Sequence, residues 1–172
     1  MQIYLAGPLF TLAEKDFNYK LAGVLETLGF TVFLPQRDAP QGGHAFSVWS
    51  SDVVALVASD IVVAIVDGVP EDTGTVWECG FVQGLDWLKA PHERGYKPII
   101  LVRTDNRCNG ERADQRAPVN LMLSESPPVC ATLYYTGDFV EDLAHRIART
   151  IKEHPFLLLN QTREEEQCQY LI

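Results

Sequence analysis

Positive charge is scarce in this chain: 14 Lys and Arg stand against 23 Asp and Glu over 172 residues, giving a net charge of -9. A field of that sign repels phosphates at long range, which excludes an electrostatic binder of nucleic acid or of an anionic membrane surface. No apolar run reaches the ~18 residues of a membrane span. Cys79, Cys108, Cys130 and Cys168 are scattered without a CxxC pair. The start, "MQIYLAGPLF", has neither a basic n-region nor an h-region of signal-peptide length, and together these features predict a reducing, cytoplasmic setting. His44, His92, His145 and His154 lie far apart with no metal-ligand spacing, so no metal site is expected. "AGPLFT" and "DTGT" fit neither GxGxxG nor a Walker A loop, which argues against a dinucleotide or ATP. A neutral small molecule is the easier partner.

What is present is an ordinary globular composition, 47% hydrophobic and 10% aromatic. A chain of this length buries roughly 70% of its unfolded surface in a single core. One domain is expected over 1–155, followed by a tail over 156–172. Gln2 to Ala6 reads as a strand closed by Gly7-Pro8. Leu12, Phe17, Leu21, Val24, Leu25 and Leu28 then recur at helical spacing until Gly29. Phe30 to Leu34 is a second strand ended by Pro35, and "QRDAPQGGHAF" is a Gly- and Pro-rich loop. Ser51 to Ser59 reads as helix. Ile61 to Val66 is apolar on both faces, as a central parallel strand should be. A helix from about Val76 to Lys89, a strand from Pro98 to Val102, a short helix begun by "PVNLML", a strand from Val129 to Thr132 and a helix from Phe139 to Lys152 complete the pattern. Arg103 to Arg116 mixes arginines with acids and reads as a solvated loop. The tail reads either as a frayed end or as one that docks on the body or a neighbour.

Strands interleaved with helices predict an α/β fold, a flavodoxin-like, doubly wound, five-stranded parallel sheet with helices on both faces. Ligands bind such sheets outside the carboxyl ends of the strands, where strand order reverses. The turn at Gly7 and the loops after Leu34, Val66 and Val102 are therefore the places to inspect.

One carboxylate is out of keeping with its surroundings. Glu78 sits inside the run "TVWECGFVQGL", where Val76, Trp77, Phe81 and Leu85 all favour burial. Thr73 or Thr75 is expected to cap this helix, placing Glu78 in about its first turn. There the helix N-terminus favours the ionised form while Trp77 and Phe81 exclude water. Glu78 is then either a dipole-complementing first-turn residue or a nucleophile. Tyr4, on the first strand, is a packing residue or the hydroxyl that orients the carboxylate. Asp72 precedes the same helix. Asp52 begins another helical run and is either a cap or a second acid facing the pocket. Asp60 and Asp67 read as turn residues. Two carboxyls in different environments allow acid and nucleophile roles to separate, as in cleavage at an anomeric carbon.

"IYLAGPLF" at 3–10, "SDIVVAIVDG" at 59–68, "DTGTVWECGF" at 72–81 and "PVNLML" at 118–123, in that order, resemble the nucleoside 2-deoxyribosyltransferase family. The resemblance implies a base exchange on 2'-deoxyribonucleosides, of use in nucleotide salvage, through a covalent deoxyribosyl-glutamate ester. It requires no cofactor. In that family Glu78 falls at the nucleophile, Tyr4 at the residue orienting it, and Asp72 at the aspartate holding the sugar hydroxyls. Asp52 falls at the position contacting the base and helping to protonate it, and Gly7 belongs to the substrate-binding turn. Asn120 falls at the asparagine that an adjacent subunit lends to the sugar 5'-hydroxyl, implying a homo-oligomer built from dimers. The partners implied are a deoxyribonucleoside and a free nucleobase, with no nucleic acid and no membrane.

Departures remain: the chain ends Tyr170-Leu171-Ile172, unlike the tyrosine and terminal carboxylate of the pyrimidine-accepting branch, and 36–46 has no counterpart that would give base preference. The related deoxynucleoside 5'-monophosphate N-hydrolases carry a Gly-Ser-Ile-Arg-Gly turn and a serine where this chain has Gly7-Pro8-Leu9-Phe10 and Asn120. A phosphate would find few donors here. A third reading is a non-catalytic nucleotide sensor in which Glu78 only complements its helix.

Overall fold

The computed structural model describes residues 1–68, 70–88, 97–105, 119–126 and 128–154. Five strands, β1 (Gln2–Ala6), β2 (Thr31–Phe33), β3 (Ile61–Ile65), β4 (Ile99–Arg103) and β5 (Val129–Tyr134), alternate with helices. All pairs are parallel and the order is β2-β1-β3-β4-β5, so strand order reverses between β1 and β3. This is the doubly wound α/β arrangement. Every residue of β3 and β4 is buried, which is why both read as unbroken apolar runs.

The helices are α1 (Leu12–Thr27), α2 (Pro35–Asp38), α3 (Ala45–Ala58), α4 (Thr73–Trp87), α5 (Leu121–Ser124) and α6 (Val140–Glu153). Alternation along the strands divides the core. Ile3, Leu5, Val63 and Ile100 pack against Leu21 and Leu25 of α1 and Leu143 and Ile147 of α6. Tyr4, Ala6, Val62 and Ala64 face the other way, onto Leu56 of α3, Cys79 and Val82 of α4 and Leu123 of α5. The second face carries the candidate site. Among the described residues no helix is long and apolar enough to cross a membrane.

Boundaries differ from the sequence expectation where caps decide them. At α1, Thr11 Oγ1 accepts from Glu14 N at 3.2 Å while the Glu14 carboxylate accepts from Thr11 N at 2.7 Å, a reciprocal cap readable in "TLAE". Leu12 is therefore a first-turn residue left exposed, not part of the apolar face. The helix stops at Gly29, whose φ of 94° suits a residue without Cβ. Gly29 N and Phe30 N close on the carbonyls of Glu26 and Leu25. Leu34 caps α2 rather than extending β2, with Pro35 at its first position, where the missing N–H costs nothing. The expected loop 36–46 is thus partly helical, and α3 begins six residues before Ser51. β5 runs on to Tyr134. Arg103 is not loop: it ends β4 at 1% exposure. The loop 106–116, Lys89, Pro118, His92, Cys108, Cys168 and the tail 156–172 lie outside the described residues.

Candidate active site

Tyr4 lies in β1, fully buried, on the face that meets α3 and α4, and its ring stacks on Phe33 of the neighbouring strand at 5.6 Å. Its hydroxyl donates to Glu78 Oε1 at 2.5 Å. The carboxylate therefore points back toward the sheet.

Helix α4 begins where Asp72 caps it: Asp72 Oδ2 accepts from Thr75 N at 2.8 Å and from Thr75 Oγ1 at 2.9 Å. Capping by Thr73 or Thr75 is thus corrected, since an aspartate satisfies orphan N–H groups as well as a threonine does. With the helix starting at Thr73, Glu78 sits in its second turn, not its first. The buried line along α4 is Thr75, Cys79 and Val82, while Val76 is 38% and Trp77 46% exposed. The run is apolar all round, but only that stripe is fully buried, with Phe81 packing partly against the same core.

Burial, more than any other influence, pushes the Glu78 carboxyl up to about 7; the Tyr4 hydrogen bond pulls it down, and the charges of Asp52 and Asp72 raise it. The expectation that the helix N-terminus holds Glu78 ionised is overturned, because the dipole fades after the first turn while desolvation does not.

On α3, Trp49, Asp52, Val53 and Leu56 follow the i, i+3, i+4, i+7 rule and share one face. Asp52 lies in the middle of this helix, so it caps nothing. Partial burial pushes its carboxyl up to about 6, and its Oδ1 is buried with no hydrogen-bond partner among the described residues. The α3 face and α4 border a cleft of about 350 Å³ whose described lining includes Tyr4, Asp52 and Glu78 together with the indoles of Trp49 and Trp77. Gly74 forms part of its wall, where a Cβ would also crowd Asp72 Oδ2 at 3.1 Å.

Three of the expected site residues, Tyr4, Asp52 and Glu78, thus meet in one cleft. The others do not line it. Asp72 is the cap of α4 and an electrostatic neighbour of Glu78. Gly7 packs against β3, where an added Cβ would stand 3.1 Å from Ile65 Cβ. Asn120 is exposed and caps α5, its Oδ1 accepting from Met122 N at 3.0 Å. Asp67 and Asp60 hold loops, as expected: Asp67 accepts from Thr104 N and Oγ1, each at 2.6 Å, and Asp60 accepts from Gln2 N at 2.6 Å. Trp49 was the residue sequence reasoning missed; a helix started at Ala45 would have put it on the face of Asp52. Among the described residues, no group of three or more His, Cys, Asp and Glu is arranged to hold a metal ion.

The model of the nucleoside 2-deoxyribosyltransferase family matches residues 3–122, which contain every residue of this cleft. The chain belongs to that family. Members of the nucleoside 2-deoxyribosyltransferase family transfer glycosyl groups or act on N-glycosidic bonds. No curated protein matches the chain by sequence. Among solved structures it is similar to the 2-deoxyribosyltransferase of Bacillus psychrosaccharolyticus, at 26% identity and a TM-score of 0.60, over 84% of this chain and 90% of that one. A conserved protein from Enterococcus faecalis is similar at 25% identity and a TM-score of 0.64, over 87% and 98% of the two chains. The CMP N-glycosidase of Clostridium botulinum shares the fold at 19% identity and a TM-score of 0.57, over 86% and 98%.

Proposed function

We propose that the protein is a nucleoside 2-deoxyribosyltransferase that exchanges the base of a 2'-deoxyribonucleoside through an ester on Glu78. The observation that carries this is the hydrogen bond from Tyr4 to Glu78 in a cleft that also holds the unpartnered oxygen of Asp52. A carboxylate fixed by one donor and otherwise desolvated is a nucleophile with a free lone pair. Ionised Glu78 attacks the anomeric carbon while protonated Asp52 gives its proton to the departing base; with Glu78 near 7 and Asp52 near 6 this is the minor of the two singly protonated forms of the pair. The base's C–N bond breaks as the C–O bond of the ester forms. An incoming base reverses these steps, and two inversions retain the β configuration. Asp72 holds the sugar hydroxyls, Gly7 the turn beneath them, and Asn120 reaches the 5'-hydroxyl of a neighbouring subunit's substrate in a homo-oligomer built from dimers. Water replaces the acceptor slowly when no base is present.

The second reading, a deoxynucleoside 5'-monophosphate N-hydrolase, draws on the fold shared with the CMP N-glycosidase. Against it, the described lining of the cleft carries no Lys, Arg or His, and its two carboxyls repel a phosphate dianion. The test is chromatography of the protein incubated with deoxyinosine and adenine, beside thymidine as donor, no acceptor, and deoxyguanosine monophosphate. Deoxyadenosine is the expected product. Base released solely from the monophosphate would make the protein a hydrolase; no turnover in any tube would favour the sensor.

A further inference from the structure

Two indoles stand half exposed beside the cleft, Trp49 at 50% and Trp77 at 46%, although side chains of this size usually bury most of their surface. They belong to a row of rings that crosses from α3 to α4. Phe46 and Trp49 lie 5.7 Å apart, Trp49 and Trp77 6.5 Å, and Trp77 and Phe81 stack at 5.1 Å. The two middle rings line the cleft itself. Trp49 precedes Asp52 by three residues on one helical face, so the ring and the Asp52 side chain line the same wall of the cleft. None of the family-derived roles falls on either tryptophan.

Ring faces beside hydrogen-bonding carboxyls, with no cation among the described lining residues, suit a flat, uncharged heterocycle with N–H groups on its edge. We infer that Trp49, backed by Trp77, is the platform on which the nucleobase stacks, and that it gives bicyclic bases their advantage over monocyclic ones. This rests on the base-exchange reading above. Stacking is tolerant of base identity because every base has a π face, but its strength grows with ring area. Both base classes therefore enter, with purines preferred.

The test compares adenine and cytosine as acceptors in the wild type, Trp49→Ala and Trp49→Phe, together with quenching of indole emission by adenine on a Trp87→Phe background. The wild type is expected to favour adenine in kcat/KM by about tenfold, and Trp49→Ala to raise KM for adenine by roughly tenfold or more with kcat little changed. The adenine-to-cytosine ratio should fall toward unity in Trp49→Ala and return in Trp49→Phe, and Trp49→Phe should lose most of the quenching. An unchanged ratio and KM in Trp49→Ala, with exchange intact in the wild type, would overturn the inference and leave base exchange standing. Dissociation of Trp49→Ala oligomers in sedimentation, with KM for adenine unmoved, would overturn it too and make the ring row a subunit contact. Quenching by adenine that depends on Trp49 in a protein that exchanges nothing would uphold the platform and overturn the exchange.

Discussion

Tyr4 and Glu78, 74 residues apart in the chain, are joined by a 2.5 Å hydrogen bond that ties the first strand to the fourth helix. Burial and the neighbouring Glu78 carboxylate drive the Tyr4 phenol far above its ordinary range, so it remains a donor at any working pH. Its hydrogen bond is the influence that pulls the Glu78 carboxyl down. Tyr4→Phe should therefore raise the Glu78 pKa and lower kcat/KM at pH 7 by roughly 10- to 100-fold, the equivalent of one charge-assisted hydrogen bond. Part of the loss should return as pH is raised toward 9. Base-exchange rates between pH 6 and 9 check this; a loss that is the same at every pH would mean that Tyr4 acts on substrate and not on the charge of Glu78.

Removing the carboxylate should stabilise the protein while ending its chemistry. The ordinary glutamate value is 4.5 and the folded value about 7, so the folded state holds this proton more tightly than the unfolded chain does. Its contribution is present in full below pH 4.5 and is lost as pH rises through about 7. Glu78→Gln stays neutral throughout and still accepts from Tyr4. Its melting temperature should match the wild type near pH 4 and exceed it above pH 7 by several degrees, about 1–3 kcal/mol. Exchange should vanish. Equal melting curves at pH 8 would contradict the raised value.

The proposed reaction needs Glu78 ionised and Asp52 protonated, two groups near 7 and 6 that repel when both are charged. They titrate as a pair, so kcat/KM should trace a bell over pH 6–7. Asp52→Asn removes the acid and should cost about 10²- to 10³-fold. It should also abolish the alkaline limb and leave the acid limb at or slightly above its wild-type position, because Asp52 is already uncharged where Glu78 first ionises. A full pH profile of the variant decides; a bell that survives intact would assign the second group elsewhere.

The central strands were legible because burial on both faces leaves no polar residue to confuse them, as in Ile61–Ile65. Tyr4, Asp52 and Glu78 were legible from residue type and order. The start of α3 was not: Gly42 and Gly43 precede it, its cap, His44, makes no side-chain hydrogen bond, and Phe46 and Trp49 remain exposed. The pattern of a buried face is therefore missing from its first two turns. Apolar residues around all of α4 concealed which stripe is buried, and three possible caps, Asp72, Thr73 and Thr75, concealed its start, which placed Glu78 a turn too early. Arg103 looked like the first charge of a loop because sequence carries no mark of partners contributed by another loop.

Those partners give the last prediction. The Arg103 guanidinium donates to Gly68 O at 3.2 Å and pairs with Glu71 and Asp105, each at 3.7 Å, so it pins the loop after β3 to the end of β4. The same loop leads through Asp72 into α4, whose second turn carries Glu78. Arg103→Met removes the cation facing two acids and should lower unfolding stability by about 3 kcal/mol, the low end for breaking a buried pair because both carboxylates keep some contact with water. Arg103→Lys keeps the charge but not the planar fork and should lose about half as much. If the loop also sets the start of α4, both variants should lower kcat in the same order while leaving KM for the acceptor base nearly constant. Urea unfolding at pH 7 with parallel exchange kinetics measures both. Stability that falls without any change in kcat would confine Arg103 to holding the loops, with the cleft positioned by α4 alone.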